Sequence, residues 1–110
     1  MSTRLKTGDV FQIRRNGRNY IALGKAKDAD GNQYVVATLN GNIGKEGKMR
    51  KKNGRSKSHV ILQMGSNVKR IHDRRSVDID SVYSVHRRLR NKIKLTDGRT
   101  GISTDAISLL

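Results

Sequence analysis

The chain has 110 residues, the length of about one domain, and its 24 Lys and Arg against nine Asp and Glu give a formal net charge of +15. The absence of Cys excludes disulfides and thiolate metal sites, and no apolar run is long enough to span a membrane. The charge excess favours an anionic partner, most generally a nucleic acid, because neutralised phosphates release their condensed counterions.

The first 40 residues alternate short apolar runs with turn residues, which is typical of β-strands. In the first run, Phe11 and Ile13 fall on one face and Val10 on the other. Asn16-Gly17 follows, and this residue pair favours the positive φ angles of a two-residue turn. The sequence therefore predicts a hairpin between this strand and the run that begins at Tyr20.

A third predicted strand covers residues 33–39, after a turn that contains Asp30-Gly31. Residues 34–36 are consecutive apolar residues, which indicates burial on both faces of the sheet. We expect the strand to end at Asn40-Gly41.

The composition changes sharply at residues 41–58, where Ile43 and Met49 provide most of the apolar content. Seven basic residues are opposed by one acidic residue, Glu46. Such a segment buries too little apolar surface to offset the entropy lost on ordering, so we expect a flexible basic loop or a long, frayed hairpin arm within the domain. Its basic residues are Lys45, Lys48, Arg50, Lys51, Lys52, Arg55 and Lys57.

Strand character returns over residues 59–64 and 68–72, and the turn residues between them predict a second hairpin. The net charge is +9 over residues 41–76, against +4 over residues 1–40 and +2 over residues 77–110, so the basic footprint is local. This region adds the basic residues Lys69, Arg70, Arg74 and Arg75.

Residues 80–94 fit two interpretations. As a helix, Asp80 or Ser81 caps the start and an apolar stripe begins at Val82 and ends at Ile93. As a strand, apolar residues alternate over residues 77–85. We favour a short helix, whose exposed flank would form a second basic edge with Arg87, Arg88 and Arg90.

A third hairpin is predicted where residues 93–95 and 100–103 flank Asp97-Gly98. Several short strands, tight turns and few aromatic residues favour a small barrel over a helical bundle. We therefore expect residues 1–110 to form a single, mainly β domain with the basic loop 41–58 inserted in it and one short helix.

The order of Gly8-Asp9-Val10, a strand, a basic turn, two further strands and Asn40-Gly41 resembles a KOW motif. Residues 97–103, followed by residues 104–110, look like the last strands of an SH3-like barrel. The resemblance implies an SH3-like, KOW-like barrel that binds nucleic acid or the transcription machinery through its first loop. In this sequence that loop consists of Arg14, Arg15, Asn16, Gly17 and Arg18.

These features predict a nucleic-acid-binding protein that contacts the phosphate backbone with low sequence specificity. Only three Tyr and one Phe are available for stacking on single-stranded bases, which favours duplex DNA or structured RNA recognised through its backbone. Between these two ligands we prefer duplex DNA by a small margin. The candidate binding residues are Arg14, Arg15, Arg18, Lys45, Lys48, Arg50, Lys51, Lys52, Arg55, Lys57, Lys69, Arg70, Arg74, Arg75, Arg87, Arg88 and Arg90.

Catalysis has little support in the sequence, because paired carboxylates, a Gly-rich nucleotide-binding motif and a nucleophile elbow are all missing. We expect no enzyme activity, no cofactor and no metal. Two alternatives stay open. One is a small toxin-like ribonuclease that uses His59, His72 or His86 with Arg70 or Arg75. The other is a basic inhibitor of an acidic protein or a nucleoprotein machine.

The expected location is the cytoplasm, in association with the nucleoid or the ribosome. Residues 1–8 lack the apolar stretch of a signal peptide. Membrane binding is not expected, because amphipathic membrane helices need exposed large apolar side chains and the chain has no Trp and one Phe. A protein partner in transcription is compatible with the same features, and the oligomeric state is left open.

Overall fold

Short β-strands make up most of the regular structure. The computed structural model describes residues 4–27, 30–57, 59–63, 67–72, 74–82, 93–94, 100–102 and 109–110, and confirms the mainly β class. The strands are β1 (Val10–Ile13), β2 (Asn19–Lys27), β3 (Gln33–Leu39), β4 (Lys51–Lys52), β5 (Arg55–Ser56), β6 (Val60–Leu62), β7 (Val68–His72), β8 (Ile93–Lys94) and β9 (Thr100–Ile102). A short 3-10 turn, Asn40–Asn42, follows β3, and residues 79–82 are helical.

Five antiparallel strands form the main sheet, in the order β6-β3-β2-β1-β7. The predicted second hairpin is wrong, because β6 pairs with β3 and β7 pairs with β1, at opposite edges of this sheet. Val68 explains the choice for β7, since it lies opposite Ile13 and joins the same core. The third hairpin is confirmed by the pairing of β8 with β9, and its predicted turn lies outside the described residues.

One face of the sheet, here called the first face, holds the largest apolar cluster. Phe11 and Ile13 of β1 pack there with Tyr20 of β2 and Val35 of β3, as the alternation in β1 predicts. The Phe11 and Tyr20 rings stack with their centroids 5.9 Å apart. Val36, next to Val35, belongs to a separate buried cluster, so the predicted burial of β3 on both faces is confirmed.

A β-bulge in β2 shapes the opposite, second face. Ala22 lies opposite Ala37 whereas Gly24 lies opposite Val36, so Leu23 is the extra residue of the bulge. Its side chain is fully buried in a cluster that also contains Ile21 of β2 and, from outside the sheet, Ile43, Met49 and Val82.

The first hairpin forms as predicted, but its loop is longer than the predicted two-residue turn. Only Gly17 has a positive φ, at 69°, and its amide donates to the carbonyl oxygen of Ile13 at 2.8 Å. Asn16 stabilises the loop with its side chain, whose Oδ1 accepts from the Arg18 amide at 2.9 Å and whose Nδ2 donates to the Tyr20 hydroxyl at 3.2 Å. The loop is thus stabilised by side-chain hydrogen bonds of Asn16, and Asn16 itself does not adopt the positive φ angle of a two-residue turn.

The predicted short helix begins at residue 79, one residue before the expected cap. Asp78 is the cap, because its Oδ1 accepts from the Ser81 amide at 3.1 Å and its carbonyl oxygen accepts from the Val82 amide at 3.1 Å. Val82, the first residue of the predicted stripe, is fully buried. The helix does not extend to residue 94 as predicted, since Ile93–Lys94 is a strand, and residues 83–92 lie outside the described residues.

The chain after β7 is fastened to the segment before β1. The Arg75 amide donates to the carbonyl oxygen of Gly8 at 2.6 Å. The buried Asp9 carboxylate accepts from the amides of Lys6 at 2.8 Å and Arg74 at 3.0 Å. Gly8 has a φ of +94°, and a Cβ atom there would collide with the carbonyl oxygen of Arg75. Glycine is therefore required at this position for both its conformation and its size.

Residues 41–58 are here called the basic segment. Its first half, residues 43–50, is attached to the second face of the sheet. Ile43 and Met49 form a bridge between two short stretches of chain, and both side chains are buried. The Arg50 amide donates to the carbonyl oxygen of Asn42 at 2.7 Å, and the Gly44 amide to that of Lys48 at 2.9 Å. The two apolar residues of this segment thus anchor residues 43–50. The flexibility expected for residues 41–58 stays a prediction.

We expect the Gly8→Ala variant to lose about 2–4 kcal/mol of unfolding free energy in urea denaturation, because the added methyl group meets backbone at a strained φ. Gly31→Ala is the matched control, since Gly31 also has a positive φ, +84°, but open space around it. The control should lose about 1 kcal/mol. Equal losses in the two variants would show that the contact between Gly8 and Arg75 contributes nothing.

The rate of amide hydrogen exchange should differ between the two halves of the basic segment. We expect the amides of Gly44 and Arg50, which are bonded near buried side chains, to exchange roughly 10²-fold more slowly than those of residues 51–54, which are exposed. Amide exchange measured by NMR on the free protein checks this. Uniformly fast exchange across residues 43–54 would contradict the anchoring by Ile43 and Met49.

Candidate nucleic-acid interface

A basic two-stranded ribbon, formed by β4 and β5, lies apart from the main sheet. Lys51 pairs with Ser56 and Lys52 with Arg55, and Asn53-Gly54 joins the strands. The φ angles of Asn53 and Gly54 are +53° and +75°, which are those of a type I′ turn. Residues 51–54 are all exposed, so the backbone of the ribbon holds cationic side chains in solvent.

The anchored half of the segment separates its apolar and basic residues. Lys45, Lys48 and Arg50 are exposed, whereas Ile43 and Met49 are buried among them. The carbonyl oxygen of Gly47 accepts from the Asp78 amide at 2.9 Å, which fixes this stretch to the start of the helical turn. The burial of the apolar residues therefore orients the basic residues toward solvent.

Arg75 has a supporting role in the fold. Its Nη1 donates to the carbonyl oxygen of Asn40 at 3.1 Å and to the Oδ1 of the same residue. Its Nη2 donates to the carbonyl oxygens of Ile43 at 3.1 Å and Gly44 at 3.3 Å. Both terminal nitrogens are engaged within the protein, so we assign Arg75 to the support of the basic segment in place of the predicted phosphate contact.

Two other basic residues near Arg75 stay accessible. The Nη1 of Arg70 lies 3.7 Å from the Oδ2 of Asp9, and the Arg70 side chain is 46% exposed against 3% for Asp9. Arg74 is exposed and has a positive φ of 35°, a conformation held by the hydrogen bond from its amide to Asp9. Asp9 therefore positions the backbone and side chains of basic residues while being itself hidden from solvent.

Lys69 lies on the same side of the sheet as the anchored half. The strand register places Lys69 opposite Gln12, and Gln12 opposite Asn19, so the three residues form one row across neighbouring strands. Asn19 precedes Ile21 by two residues and shares its face, and Ile21 packs against Ile43. Lys69 is exposed at the end of this row.

The basic turn between β1 and β2 adjoins the start of β7, because the Arg14 amide donates to the carbonyl oxygen of Asn67 at 2.8 Å. Arg75, at the other end of this stretch, contacts the anchored half. From Val68 to Arg75 the chain spans at most roughly 24 Å. Three groups of predicted residues that are distant in sequence are thus joined along β7. We call this surface the basic band. It follows the edge strand β7, whose Lys69 lies on the second face and whose Arg70, opposite Phe11, lies on the first face. The band consists of Arg14, Arg15, Arg18, Lys45, Lys48, Arg50, Lys51, Lys52, Lys69, Arg70 and Arg74.

One exposed acidic residue, Glu46, lies within the anchored half of the basic segment. Asp9 is buried, and Asp78 caps the helical turn. In the part of the chain that the structure describes, Arg70 forms an ion pair with Asp9, and the other basic residues of the band form none. Their charges are therefore available to an external anion.

The remaining predicted residues are not part of the basic band. Arg55 lies in β5, Lys57 is partly exposed, and Arg87, Arg88 and Arg90 lie outside the described residues. Of the histidines considered for catalysis, His59 is buried, His72 is exposed and His86 lies outside the described residues.

Sequence reasoning missed the polar row of Gln12 and Asn19 beside Lys69, because strand order was needed to align it. It also missed the turn at the tip of the ribbon, although the pair Asn53-Gly54 is itself a hairpin signal. That signal was visible in the sequence, inside a segment interpreted by its charge and its low apolar content.

No helix among the described residues is long and apolar enough to cross a membrane. The same residues contain no group of three or more His, Asp and Glu side chains that could hold a metal ion. In comparisons with known proteins, the chain matches no family model, no curated protein and no solved structure. The geometry and charge of the basic band are therefore the features that indicate a function.

Proposed function

We propose that the protein binds nucleic acid through the phosphate backbone, with the basic band as its contact surface and with low sequence specificity. The observation that carries the proposal is the continuity of the band: eleven accessible cationic side chains from three parts of the chain, ten of them without an ion pair to any described carboxylate. Duplex DNA is slightly favoured over structured RNA as the ligand.

Charge density supports a duplex as the ligand. A duplex carries one phosphate charge per roughly 1.7 Å of axis, so a length of about 24 Å, the reach of the chain from Val68 to Arg75, carries about 14 phosphates. The band offers eleven cations, a number close to this count. A matched array of this kind favours contact by release of condensed counterions, which needs no base recognition.

The positions of the aromatic residues also favour a duplex over a single strand. Phe11, Tyr20 and Tyr34 are buried in the core clusters, and Tyr83 lies outside the described residues. Single-strand binders present exposed aromatic platforms on which bases stack. The described surface offers cations without such platforms.

We also propose that the domain is an SH3-like barrel and that the protein is cytoplasmic. The neighbour order, in which β1, β2, β3 and β6 follow one another and β7 lies beside β1, supports an SH3-like arrangement. In that arrangement the turn with Arg14, Arg15 and Arg18 is the first loop of the barrel.

Salt dependence tests the electrostatic basis of binding. If six to ten cations contact phosphates, the logarithm of the association constant should fall against the logarithm of salt concentration with a slope of about −5 to −9. Fluorescence anisotropy of a labelled duplex over a salt series measures this slope. A slope shallower than about −2 would refute phosphate neutralisation as the main source of affinity.

Charge removal at two matched sets locates the binding surface. We expect Lys48, Arg50, Lys51 and Lys52 changed together to Gln to weaken duplex binding by roughly 10³-fold at 0.1 M salt, with a slope shallower by three to four units. The fold should be retained, since all four side chains are exposed. The measurement is the same anisotropy titration, with thermal unfolding as the check on folding.

The control set consists of Arg4, Lys6, Lys25 and Lys27, which are also exposed and remove the same charges, three Lys and one Arg. Its loss of affinity should be much smaller. Equal losses in both sets would indicate a diffuse positive field and no defined site. If the wild-type protein binds no duplex, or shortens RNA in a metal-free buffer, the inhibitor or the ribonuclease alternative replaces this proposal.

A further inference from the structure

The β4–β5 ribbon is a short hairpin that extends the anchored half of the segment into solvent. The Lys57 amide donates to the carbonyl oxygen of Arg50 at 3.4 Å, so the strand pairing continues below the two residue pairs of the ribbon. From Arg50 to the tip the chain rises over three residues, about 10 Å at the strand repeat. No atom lies within 4 Å of a Cβ atom built on Gly54, so the tip is surrounded by open space.

We propose that this ribbon enters the major groove of B-form duplex DNA, while the anchored half of the segment and the β1–β2 turn contact the phosphates beside the groove. The inference rests on the proposed function and adds to it the form of the duplex and the mode of contact.

Dimensions favour the major groove. That groove of B-form DNA is about 12 Å wide and 8.5 Å deep, and it admits a two-stranded β-ribbon. The ribbon has strands about 4.8 Å apart and a length of about 10 Å, which match this width and depth once side chains are added. The minor groove is about 6 Å wide and is too narrow for it.

The same dimensions exclude A-form RNA as the preferred ligand. The major groove of an A-form helix is deep and narrow, so side chains on a ribbon do not enter it. The ribbon would then be held outside an RNA duplex, and its charges would reach fewer phosphates. Groove entry thus predicts a preference for DNA that charge alone does not provide.

The alternation of the strand places charge toward both walls of the groove. Lys51 and Lys52 are consecutive, exposed residues of β4, and consecutive side chains point to opposite faces of a strand. A ribbon inserted in a groove therefore presents one Lys to each flanking phosphate backbone. This arrangement gives affinity without base recognition, in agreement with low sequence specificity.

The test compares duplexes in which one groove is blocked. Full-length protein is titrated at constant salt with a labelled DNA duplex, with the same duplex carrying glucosylated 5-hydroxymethylcytosine in place of cytosine, and with the unmodified duplex saturated with netropsin. Glucose fills the major groove and should weaken binding by about tenfold or more, whereas netropsin occupies the minor groove and should change affinity less than about twofold. An RNA duplex of the same sequence should bind about tenfold more weakly than the DNA.

Two variants connect the groove effect to the ribbon. Removing Lys51, Lys52, Arg55 and Ser56 leaves Asn53-Gly54 as the turn between Arg50 and Lys57, which are already hydrogen-bonded. The control, with Lys51, Lys52 and Arg55 changed to Gln, loses the same three charges but keeps the length. The shortened protein should bind glucosylated and plain DNA equally, whereas the control should still discriminate between them.

The outcomes separate this inference from the proposed function. Equal binding of wild-type protein to plain and glucosylated DNA, with the salt dependence retained, would overturn groove entry and leave phosphate binding in place. Displacement by netropsin alone would also overturn it, in favour of the minor groove. Absence of binding to every duplex would contradict the proposed function itself. The binding of wild-type protein to plain and glucosylated DNA tests groove entry even if the shortened variant does not fold.

Discussion

The contact between Gly8-Asp9 and Arg74-Arg75 is the constraint on which the rest of the structure depends. The Arg75 amide bonds to Gly8, and this hydrogen bond sets where the chain runs after β7. From that position the Arg75 guanidinium reaches the carbonyl oxygens of Asn40, Ile43 and Gly44, at the base of the basic segment. One backbone contact near the start of the chain therefore determines the position of a surface segment more than 30 residues away in sequence.

The buried Asp9 shows how a chain with few acidic residues uses them. A carboxylate removed from water is costly unless it is hydrogen-bonded and paired with a positive charge. Asp9 accepts from two backbone amides and lies beside the guanidinium of Arg70, so these requirements are met. Because the charge is buried, it organises the surrounding basic residues without offering solvent a negative group. A positive surface field is preserved although the acid lies directly beneath it.

The sequence predicted the strands well and their partners less well. Alternation placed Phe11, Ile13 and Val10 on the correct faces because each position depends only on its neighbours in the chain. The pairing of β7 with β1 was not predictable in this way, since the competing hairpin with β6 had the shorter connection. What decided it was burial of Val68 beside Ile13, a contact between distant residues. The positions of β6 and β7 at opposite sheet edges follow from that choice.

For the candidate site, composition identified which residues are basic but not which of them form hydrogen bonds within the fold. Arg74 and Arg75 are neighbours of the same charge in the sequence, yet one is exposed and the other donates to backbone carbonyls. Charge counting treats them alike, because the difference arises from the left-handed conformation of Arg74 and the hydrogen bond of its amide to Asp9. The helix cap was misplaced for a similar reason, since Asp78 and Asp80 are both suitable residues and only the packing of Val82 selects the former.

The anchoring of the basic segment matters for affinity as well as for shape. Ordering one residue of backbone costs about 1–2 kcal/mol, so ordering all of residues 41–58 on binding would cost on the order of 20 kcal/mol or more. Non-covalent affinities saturate near 18–21 kcal/mol, so a fully flexible segment could not be ordered along its length and still bind tightly. Burial of Ile43 and Met49, worth roughly 1.5–3 kcal/mol each, and the backbone hydrogen bonds of residues 43–50 offset part of this cost during folding, and the closed turn at Asn53-Gly54 lowers what is left. The cost on binding is then mainly that of fixing exposed Lys and Arg side chains, about 0.5–1.5 kcal/mol each. Two apolar residues in an otherwise polar segment therefore lower the entropic cost of the nucleic-acid binding proposed for its basic residues.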